Sequence, residues 1–507
     1  MPIHDLALRL GRGLLPFAVV ASLYLYLYPL FHRCHFPRPH YVDTTGPLSH
    51  QQEAPFRLLA LGDPQIEGDT SLPDPNDPLL PSLQRFPKHA ADNGFAQAAR
   101  AAAAALLRDD LPRLLRTYRK RLDLFGNDYY LAHIYRSLYW WCVPTHVAVL
   151  GDLLGSQWIA DDEFERRSWR FWHRVFRNAR RVEDHITAAS EAEDLGADPA
   201  WKRRIINIAG NHDIGYAGDI NDGRVDRFER QFGPVNWETS FHLDSVNISA
   251  SDAPGQNHPE LRLLVLNSMN LDGPAINEDL QHETYAFIND AIFHSRPVED
   301  RSTFTLLLTH IPLHKKEGVC VDSPFFDYFD GSQGGGVKEQ NHLSEGSSEA
   351  VLQGIFGMSG DASAPARGIG RNGLIVTGHD HEGCDIYHHR PRDESSWDAV
   401  PWTDAATLAH NSDLPGIREL TLRSMMGEYG GYAGLVSIWF DDGAGEWRSD
   451  VMMCSAGVQH VWWAVHVVDL VTLCLLLSGI CLRTTTRLRK AMPTTESLVA
   501  KGATKKD

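Results

Sequence analysis

The sequence predicts an α/β layered domain between two membrane-spanning helices, one near each end of the chain. Short apolar runs alternate with helical segments from residue 58 to residue 377, which is typical of an α/β fold. An almost uninterrupted apolar stretch stands near each end. The composition, with 43% apolar and 22% charged residues, is that of a globular protein, and 507 residues suffice for one large domain or two to three smaller ones.

The charge balance argues against a nucleic-acid partner. The formal net charge is −17. Nucleic-acid backbones are bound by clustered lysine and arginine side chains. A net negative charge instead fits a protein surface that is exposed to an aqueous compartment.

Residues 14–31 (LLPFAVVASLYLYLYPLF) are almost entirely apolar or aromatic. At about 1.5 Å per residue the run is long enough to cross about 30 Å of hydrocarbon. The alternative is a cleaved signal peptide, but the run is long, contains three tyrosines and is followed by no clear small-residue cleavage site. We therefore interpret it as a transmembrane anchor.

A second span is predicted at residues 461–482, with Trp462 and Trp463 at an aromatic belt and a basic cluster at 483–490. Asp469 is costly in lipid, so it should lie near an edge or face a partner. Because basic clusters stay cytosolic, we expect both termini in the cytosol and the intervening chain in the lumen.

The predicted organisation is therefore a cytosolic N-terminus and anchor at 1–40, a lumenal domain at 41–455, and a second span with a basic tail at 456–507. The sequon Asn247-Ile248-Ser249 is compatible with a lumenal glycoprotein. The C-terminal Lys505-Lys506-Asp507 resembles a dilysine retrieval signal in imperfect register.

The strands of the domain are predicted where β-branched and leucine-rich runs are short enough to be buried on both faces. They are residues 58–61, 146–150, 205–209, 261–266, 304–309 and 374–377. A closing hairpin is predicted from GLVSIWF and EWRSDVMM around the turn DDGAG.

Helices are predicted between these strands. Residues 161–182 place five apolar side chains on one stripe, which we interpret as core; they are Phe164, Phe171, Trp172, Val175 and Phe176. Residues 95–122 are predicted helical with a break at Pro112. The Gly- and Ser-rich segment 330–349 is predicted to be a mobile flap or disordered.

Seven cysteines are too few and too scattered for a disulfide framework, and none forms a CxxC pair. Cys320, Cys384 and Cys454 could pair in an oxidising lumen, but the sequence does not decide which do. Among the histidines, we expect His314 to line a pocket and the pair His388-His389 to lie on the surface.

Polar motifs follow the predicted strands in order: Asp63, Asp152, GNHD at 210–213, His310, and GHDH at 378–381. Strand ends converge at one edge of an α/β sheet, so these groups should meet. Such a set could hold two divalent metal ions with Asp152 between them, and oxygen and nitrogen ligands suit Mn, Fe or Zn.

The order GD, GD, GNHD, H, GHDH, over residues 58 to 385, resembles the calcineurin-like metallophosphoesterase superfamily. The resemblance implies a two-sheet α/β sandwich flanked by helices. It implies one metal ion held by Asp63, Gln65, Asp152 and His381, and a second held by Asp152, Asn211, His310 and His379. It also implies that His212 stands beside the phosphate and either protonates the leaving oxygen or stabilises its charge.

Gln65 departs from the superfamily, which usually has His there. A Gln carbonyl oxygen should hold the ion more weakly than imidazole does and shift preference toward Mn; the alternative is a decayed site. GDPQ, THIPLH and GVCVD, with a span at each end, resemble the fungal branch of GPI-anchor-remodelling phosphodiesterases of the endoplasmic reticulum (ER).

That branch removes ethanolamine phosphate from a mannose of the GPI glycan. The resemblance implies an ER membrane enzyme, with the Golgi as an alternative location, acting on GPI-anchored proteins or GPI lipid and working with cargo receptors. Two alternative functions stay open. One is a metallophosphatase acting on another phospholipid or on phosphoprotein, and the other is a non-catalytic cargo-sorting factor in ER-to-Golgi transport. The mannose, the substrate-binding residues and the oligomeric state are left open.

Overall fold

A computed structural model describes residues 1–40, 53–68, 72–73, 77–189, 192–243, 258–391, 396–405 and 414–491. The sequon at Asn247 and the C-terminal lysine pair lie outside these residues. The chain divides into two units. One comprises Met1–His32 and Gly457–Asp507, and the other comprises Arg33–Ala456.

The described helices are α1 (Ile3–Tyr26), α2 (Tyr28–Phe31), α3 (Pro81–Asn93), α4 (Phe95–Ala105), α5 (Leu111–Cys142), α6 (Asp161–Arg170), α7 (Asp184–Thr187), α8 (Asn211–Ile214), α9 (Asp222–Phe232), α10 (Glu278–Phe293), α11 (Glu345–Gly354) and α12 (Gln459–Ala491). The described strands are β1 (Phe56–Leu61), β2 (His146–Val149), β3 (Arg180–Arg181), β4 (Glu193–Asp194), β5 (Arg204–Asn207), β6 (Trp237–His242), β7 (Glu260–Val265), β8 (Thr303–Leu308), β9 (Phe326–Tyr328), β10 (Val337–Gln340), β11 (Asn372–Thr377), β12 (Cys384–His389), β13 (Asp398–Pro401), β14 (Gly416–Thr421), β15 (Tyr432–Asp441) and β16 (Glu446–Ser455).

The first unit contains α1 and α12, which are both long and apolar enough to cross a membrane. The two helices approach closely, since a Cβ added at Gly11 would lie 2.9 Å from Leu476 Cδ2. Ser22 Oγ donates a 2.8 Å hydrogen bond to Asp469 Oδ2. The acidic side chain predicted to need a partner therefore has one on the other helix.

The second unit is built on two sheets. The first has the strand order β16-β15-β1-β2-β5-β3, and the second has the order β13-β12-β14-β11-β8-β7-β6-β4. The central strands of each sheet run parallel: β1, β2, β5 and β3 in the first, and β14, β11, β8 and β7 in the second. Their carboxyl ends therefore share one edge within each sheet, as a site at strand ends requires.

The hydrophobic core lies between the two sheets. Leu58 and Ala60 of β1 belong to the same buried cluster as Leu306 of β8 and Val376 of β11. Strand residues facing the other way, such as Leu59, are also fully buried, because parallel strands of this kind are covered on both faces. The α/β class, the two-sheet sandwich flanked by helices and the predicted strands are confirmed.

Two helical predictions have different outcomes. The stripe at 164–176 is core, with Phe164, Phe171 and Phe176 fully buried. The break at Pro112 is wrong, because a π-helical turn at Leu106–Asp110 joins α4 to α5 and the chain stays helical. A wider turn immediately before a proline relieves the clash that its ring would otherwise cause.

Two further predictions are corrected. Segment 330–349 is folded rather than disordered, because it supplies β10 and the start of α11, while the alternative of a mobile flap stays a prediction. The pair His388-His389 is buried rather than on the surface, and His388 Nε2 makes a hydrogen bond to the carboxylate of Glu419.

Two disulfides join described cysteines. Cys320 pairs with Cys384, and both were among the three cysteines predicted to be able to pair. Cys454 pairs with Cys34, which the sequence reasoning had not included. Cys34 and Cys454 are 420 residues apart, so no local pattern could have indicated the pair.

Candidate metal centre

The predicted site residues leave their strands in sharp turns. Asp63 follows β1 and Asp152 follows β2, each with φ of +48°, and His379 follows β11 with φ of +73°. Left-handed backbone is strained for these residues, and such strain is typical of functional sites. The turns direct the side chains into the space beyond the strand ends.

The glycines before Asp152 and Asn211 are required by close packing. A Cβ at Gly151 would lie 2.1 Å from His310 Nδ1, and the backbone there has φ of +94°. A Cβ at Gly210 would lie 2.2 Å from Asp152 Oδ1. Only glycine fits at either position.

One group of possible metal ligands comprises Asp63, Asp152 and His381, whose ligand atoms all lie within 4.8 Å of one another. Gln65 contacts the same group. Its Nε2 lies 3.1 Å from Asp152 Oδ2 and 3.2 Å from His381 Nε2. The structure therefore brings together all four residues predicted to surround the first ion.

The amide of Gln65 is oriented with nitrogen toward these two ligands. The oxygen and nitrogen of an amide are distinguished only by the hydrogen bonds around them. With a cation present, rotation by half a turn would present the carbonyl oxygen instead. Gln65 is thus placed to be a ligand, but as a neutral oxygen donor.

A second group comprises Asp152, His310 and His379, again with ligand atoms within 4.8 Å of one another. Asn211 adds its amide oxygen, which lies 3.1 Å from His310 Nε2. All four residues predicted for the second ion are therefore adjacent. Asp152 belongs to both groups, as the predicted bridging ligand should.

Hydrogen bonds at the far side of two imidazoles fix which nitrogen faces the centre. His310 Nδ1 lies 2.6 Å from the carbonyl oxygen of Leu150, and His379 Nε2 lies 2.8 Å from that of Gln340. Each of these nitrogens must donate its proton to the carbonyl. His310 Nε2 and His379 Nδ1 are then left with lone pairs for a metal.

The electrostatics of the two central carboxylates differ. Burial, followed by the charge of Asp152, raises the pKa of Asp63 well above its ordinary value. Burial also opposes ionisation of Asp152, but the imidazoles of His212, His310 and His379 lower its pKa overall. Two buried carboxylates this close need compensating positive charge.

His212 lies at the open side of the centre. Its side chain is 37% exposed, and Nε2 is 3.8 Å from Asp152 Oδ2. The backbone N–H of His212 donates to Asp152 Oδ1. His212 therefore borders the centre without completing either ligand group, which is the position expected of a proton donor.

The residues fit two divalent cations. Asp63 Oδ2 is buried without a hydrogen-bond partner in the described part of the chain, and an orphaned carboxylate oxygen is costly unless a cation is bound. The donor set combines carboxylate, amide and imidazole groups, which suits first-row divalent metals.

His314 lies apart from the ligand groups, and its Nε2 is 3.3 Å from Glu345 Oε1.

Sequence reasoning missed two supporting residues. Asp213, inside GNHD, accepts hydrogen bonds from the backbone N–H groups of Gly210, Leu153 and Leu154, and so ties two ligand loops together. Its place in the motif was a usable signal. Gln340 acts through its backbone carbonyl, and no side-chain pattern could have indicated that.

Comparison with known proteins identifies relatives of this chain. No family model matches the sequence. Protein TED1 of Saccharomyces cerevisiae is 32% identical over 403 residues, which cover 70% of this chain and 77% of TED1. Metallophosphoesterase 1 of Danio rerio is 22% identical over 298 residues, covering 55% of this chain and 63% of the relative.

The chain belongs to the calcineurin-like metallophosphoesterase superfamily. A crystal structure of a dimetal phosphatase from Danio rerio aligns with 80% of this metallophosphoesterase and with 98% of its own chain, at 12% identity and a TM-score of 0.31. As a metallophosphoesterase, the protein is a phosphoester hydrolase whose candidate ligands lie at the ends of parallel strands in two sheets.

Proposed function

We propose that the protein is a membrane-anchored phosphodiesterase that removes ethanolamine phosphate from a mannose of the GPI glycan in the ER lumen. The observation that carries the hydrolytic part is the meeting of two ligand groups at Asp152. The substrate rests on GDPQ, THIPLH and GVCVD, with an apolar helix at each end, which resemble the fungal GPI-remodelling phosphodiesterases.

The residues would divide between two ions. Asp63, Gln65, Asp152 and His381 would hold one, and Asp152, Asn211, His310 and His379 would hold the other. When bound, two divalent ions neutralise charge on a phosphoryl group and make a water more acidic. We propose Mn, because Gln65 supplies an oxygen where the superfamily has an imidazole.

His212 is assigned to the leaving group. In the reaction, a water oxygen forms a bond to phosphorus while the bond between phosphorus and the mannose oxygen breaks. That oxygen needs a proton to leave as a hydroxyl, and the half-exposed imidazole of His212 beside Asp152 is placed to donate it.

A cavity of about 650 Å³, lined in part by the loops that follow β1 and β2, suits the glycan. It is bordered by Gly68, next to the loop that carries Gln65, and by Ser156 and Trp158, which follow Asp152. Trp158 is 64% exposed, and the guanidinium of Arg224 lies 4.6 Å from its ring centre. An exposed indole is a suitable stacking surface for a sugar, because its face is large and apolar.

The lumenal location is supported by the disulfides Cys34–Cys454 and Cys320–Cys384. Such bonds persist in oxidising compartments such as the ER lumen. With α1 and α12 crossing the membrane, the proposed arrangement has both termini in the cytosol and the metallophosphoesterase domain beside lipid-anchored substrates. Cargo receptors are proposed as partners on the resemblance alone.

The deciding experiment is the GPI glycan profile, by mass spectrometry, of GPI-anchored proteins from cells that lack the chain. We expect ethanolamine phosphate to be retained in the deletion and in an Asp152→Asn rescue, and to be trimmed when wild type is restored. Identical glycans in all three would exclude GPI remodelling and direct attention to another phospholipid or to phosphoprotein. Full rescue by His212→Ala would instead favour the non-catalytic sorting role.

A further inference from the structure

The N-terminal half of α5, with the π-helical turn before it, carries an exposed apolar stripe. Each side chain in it is at least 41% exposed. Its members are Leu107, Leu111, Leu115, Tyr118, Leu122 and Phe125. Successive members are three or four positions apart. Residues at that spacing share one face of a helix.

This stripe is not the face by which the helix packs on its own domain. Asp110 and Thr117 point the other way and are buried. The carboxylate of Asp110 accepts a hydrogen bond of 3.0 Å from the backbone N–H of Ser82 in α3. The helix therefore has one packed face and a second, apolar face that is exposed. Exposure of such a face to water is unfavourable unless something covers it.

The flanks of the stripe are basic. Residues 106–125 contain six Arg or Lys and three Asp, although the whole chain has a net charge of −17. Arg108, Arg116 and Arg121 form no ion pair with a described residue. The Nε of Arg116 donates to the Pro112 carbonyl of its own helix, and the guanidinium of Arg121 lies 6.0 Å from the ring centre of Tyr118.

We propose that this face of residues 107–125 lies in the lipid–water interface of the membrane that anchors the chain. An apolar stripe with basic flanks is the pattern of helices that lie flat on bilayers, because the stripe enters the acyl boundary while arginines reach anionic headgroups. At each end of the domain the chain continues into an apolar helix long enough to cross a membrane, which ties the domain to that membrane through the chain. At about 1.5 Å per residue the stripe is roughly 27 Å long.

Composition and charge favour a membrane over a protein partner. The cores of protein interfaces are enriched in aromatic residues and methionine, whereas four of the six members of the stripe are leucines. Arg113 and Arg119 pair with Asp77 and Asp123. Arg108, Arg116 and Arg121 have no acidic partner among the described residues and can reach the phosphate groups of phospholipids. The inference does not depend on the identity of the enzyme's substrate.

The test uses the full chain, reconstituted in vesicles of phosphatidylcholine alone or with phosphatidylserine. An environment-sensitive fluorescent amino acid replaces Leu115 in the stripe or, as the matched control, Lys120, which lies about 140° around the same helix. Nitroxide-labelled lipids report contact with the acyl region. We expect quenching at position 115 and little at position 120, and the quenching should be stronger with phosphatidylserine and weaker at high salt.

Two variants separate the contributions. Arg108→Gln with Arg116→Gln should remove the dependence on phosphatidylserine, and Leu111→Gln with Leu122→Gln should remove most quenching at position 115. Phe293→Gln, an equally polar change at a residue 83% exposed elsewhere, should leave quenching unchanged. Circular dichroism controls for folding.

Equal quenching at positions 115 and 120, or none at either, would overturn the proposal. A probe at position 115 that is shielded in native membranes but open to water in pure lipid would also overturn it, and would assign the stripe to a protein partner. Hydrolysis of a soluble phosphodiester, measured in parallel, reports on the enzyme separately.

Discussion

At the scale of single residues, Gln65 determines how firmly one ion is held. It contacts both Asp152 and His381, so it occupies the place of a ligand, yet it offers an amide instead of an imidazole. Glutamine at this position leaves that ion with one imidazole ligand fewer, but the position of the ligand is still filled.

Gln65→His should therefore tighten metal binding. We expect the Mn²⁺ concentration for half-maximal hydrolysis to fall by about tenfold, equivalent to about 1.4 kcal/mol. Gln65→Asn is the matched control, because it keeps the amide but shortens its reach, and it should weaken binding. Equal activation curves for the three proteins would show that residue 65 does not touch the ion.

Gly151→Ala should inactivate the enzyme by displacing His310. The new Cβ would meet the His310 ring and the residue would keep positive φ. Gly196→Ala is the control, since Gly196 has φ of +91° with nothing within 4 Å of its Cβ position. Both variants should lose about 1–3 kcal/mol of stability from backbone strain. Only Gly151→Ala should lose bound metal by elemental analysis; equal metal loss would contradict this assignment.

At the scale of elements, a buried ion pair anchors the loop that follows β8. Lys315 Nζ lies 3.6 Å from Glu419 Oε1 on β14, and both side chains are fully buried. The same Oε1 accepts a hydrogen bond of 3.0 Å from the backbone N–H of Leu313, three residues after His310. Glu419 thus supports a ligand-bearing loop without touching the metal centre.

Glu419→Gln should destabilise the domain by about 3–5 kcal/mol, because it leaves Lys315 as an unpaired buried charge. Burial would raise the pKa of Glu419, but Lys315 and then His388 bring it down to about 2, from 4.5. A depressed pKa gives stability above pH 4.5 that is lost as pH falls toward 2.

The difference in unfolding free energy between wild type and Glu419→Gln should therefore be full at pH 7 and shrink below pH 4.5. Chemical unfolding at several pH values measures it. Lys315→Met combined with Glu419→Gln should recover much of the loss. A deficit that is independent of pH, or that remains in the double variant, would show that the ion pair is not its source.

At the scale of the whole molecule, the disulfide Cys34–Cys454 joins the first and last parts of the 33–456 unit. A bond across 420 residues restricts the unfolded chain strongly. Cys34→Ser should lower stability by about 2–5 kcal/mol, visible as a lower thermal midpoint of the full chain in detergent.

Cys142→Ser is the control, since Cys142 is a free cysteine and half-buried. Its midpoint should stay close to that of wild type. Peptide mapping without reduction should recover a peptide containing Cys34 linked to one containing Cys454, and a peptide containing Cys320 linked to one containing Cys384. Recovery of another pairing would refute the assignment, whatever the thermal midpoints.

Local sequence determined much of the fold and of the site. The strands at 58–61 and 374–377 were predictable because apolar runs of that length leave few alternatives. The apolar helices at each end followed from their length and composition. Asp63, Asp152 and the motifs at 210–213 and 378–381 were found because each directly follows a strand, and strand ends are where α/β proteins place their chemistry.

Only the tertiary structure decided the rest. It paired Cys34 with Cys454, buried His388 against Glu419, placed the Gln340 carbonyl on His379, and kept the helix continuous through Pro112. It also left the stripe on α5 exposed, although its spacing alone suits a buried face equally well. Periodicity records which residues share a face, but contacts between distant segments depend on how the sheets and loops pack, and that information is not local.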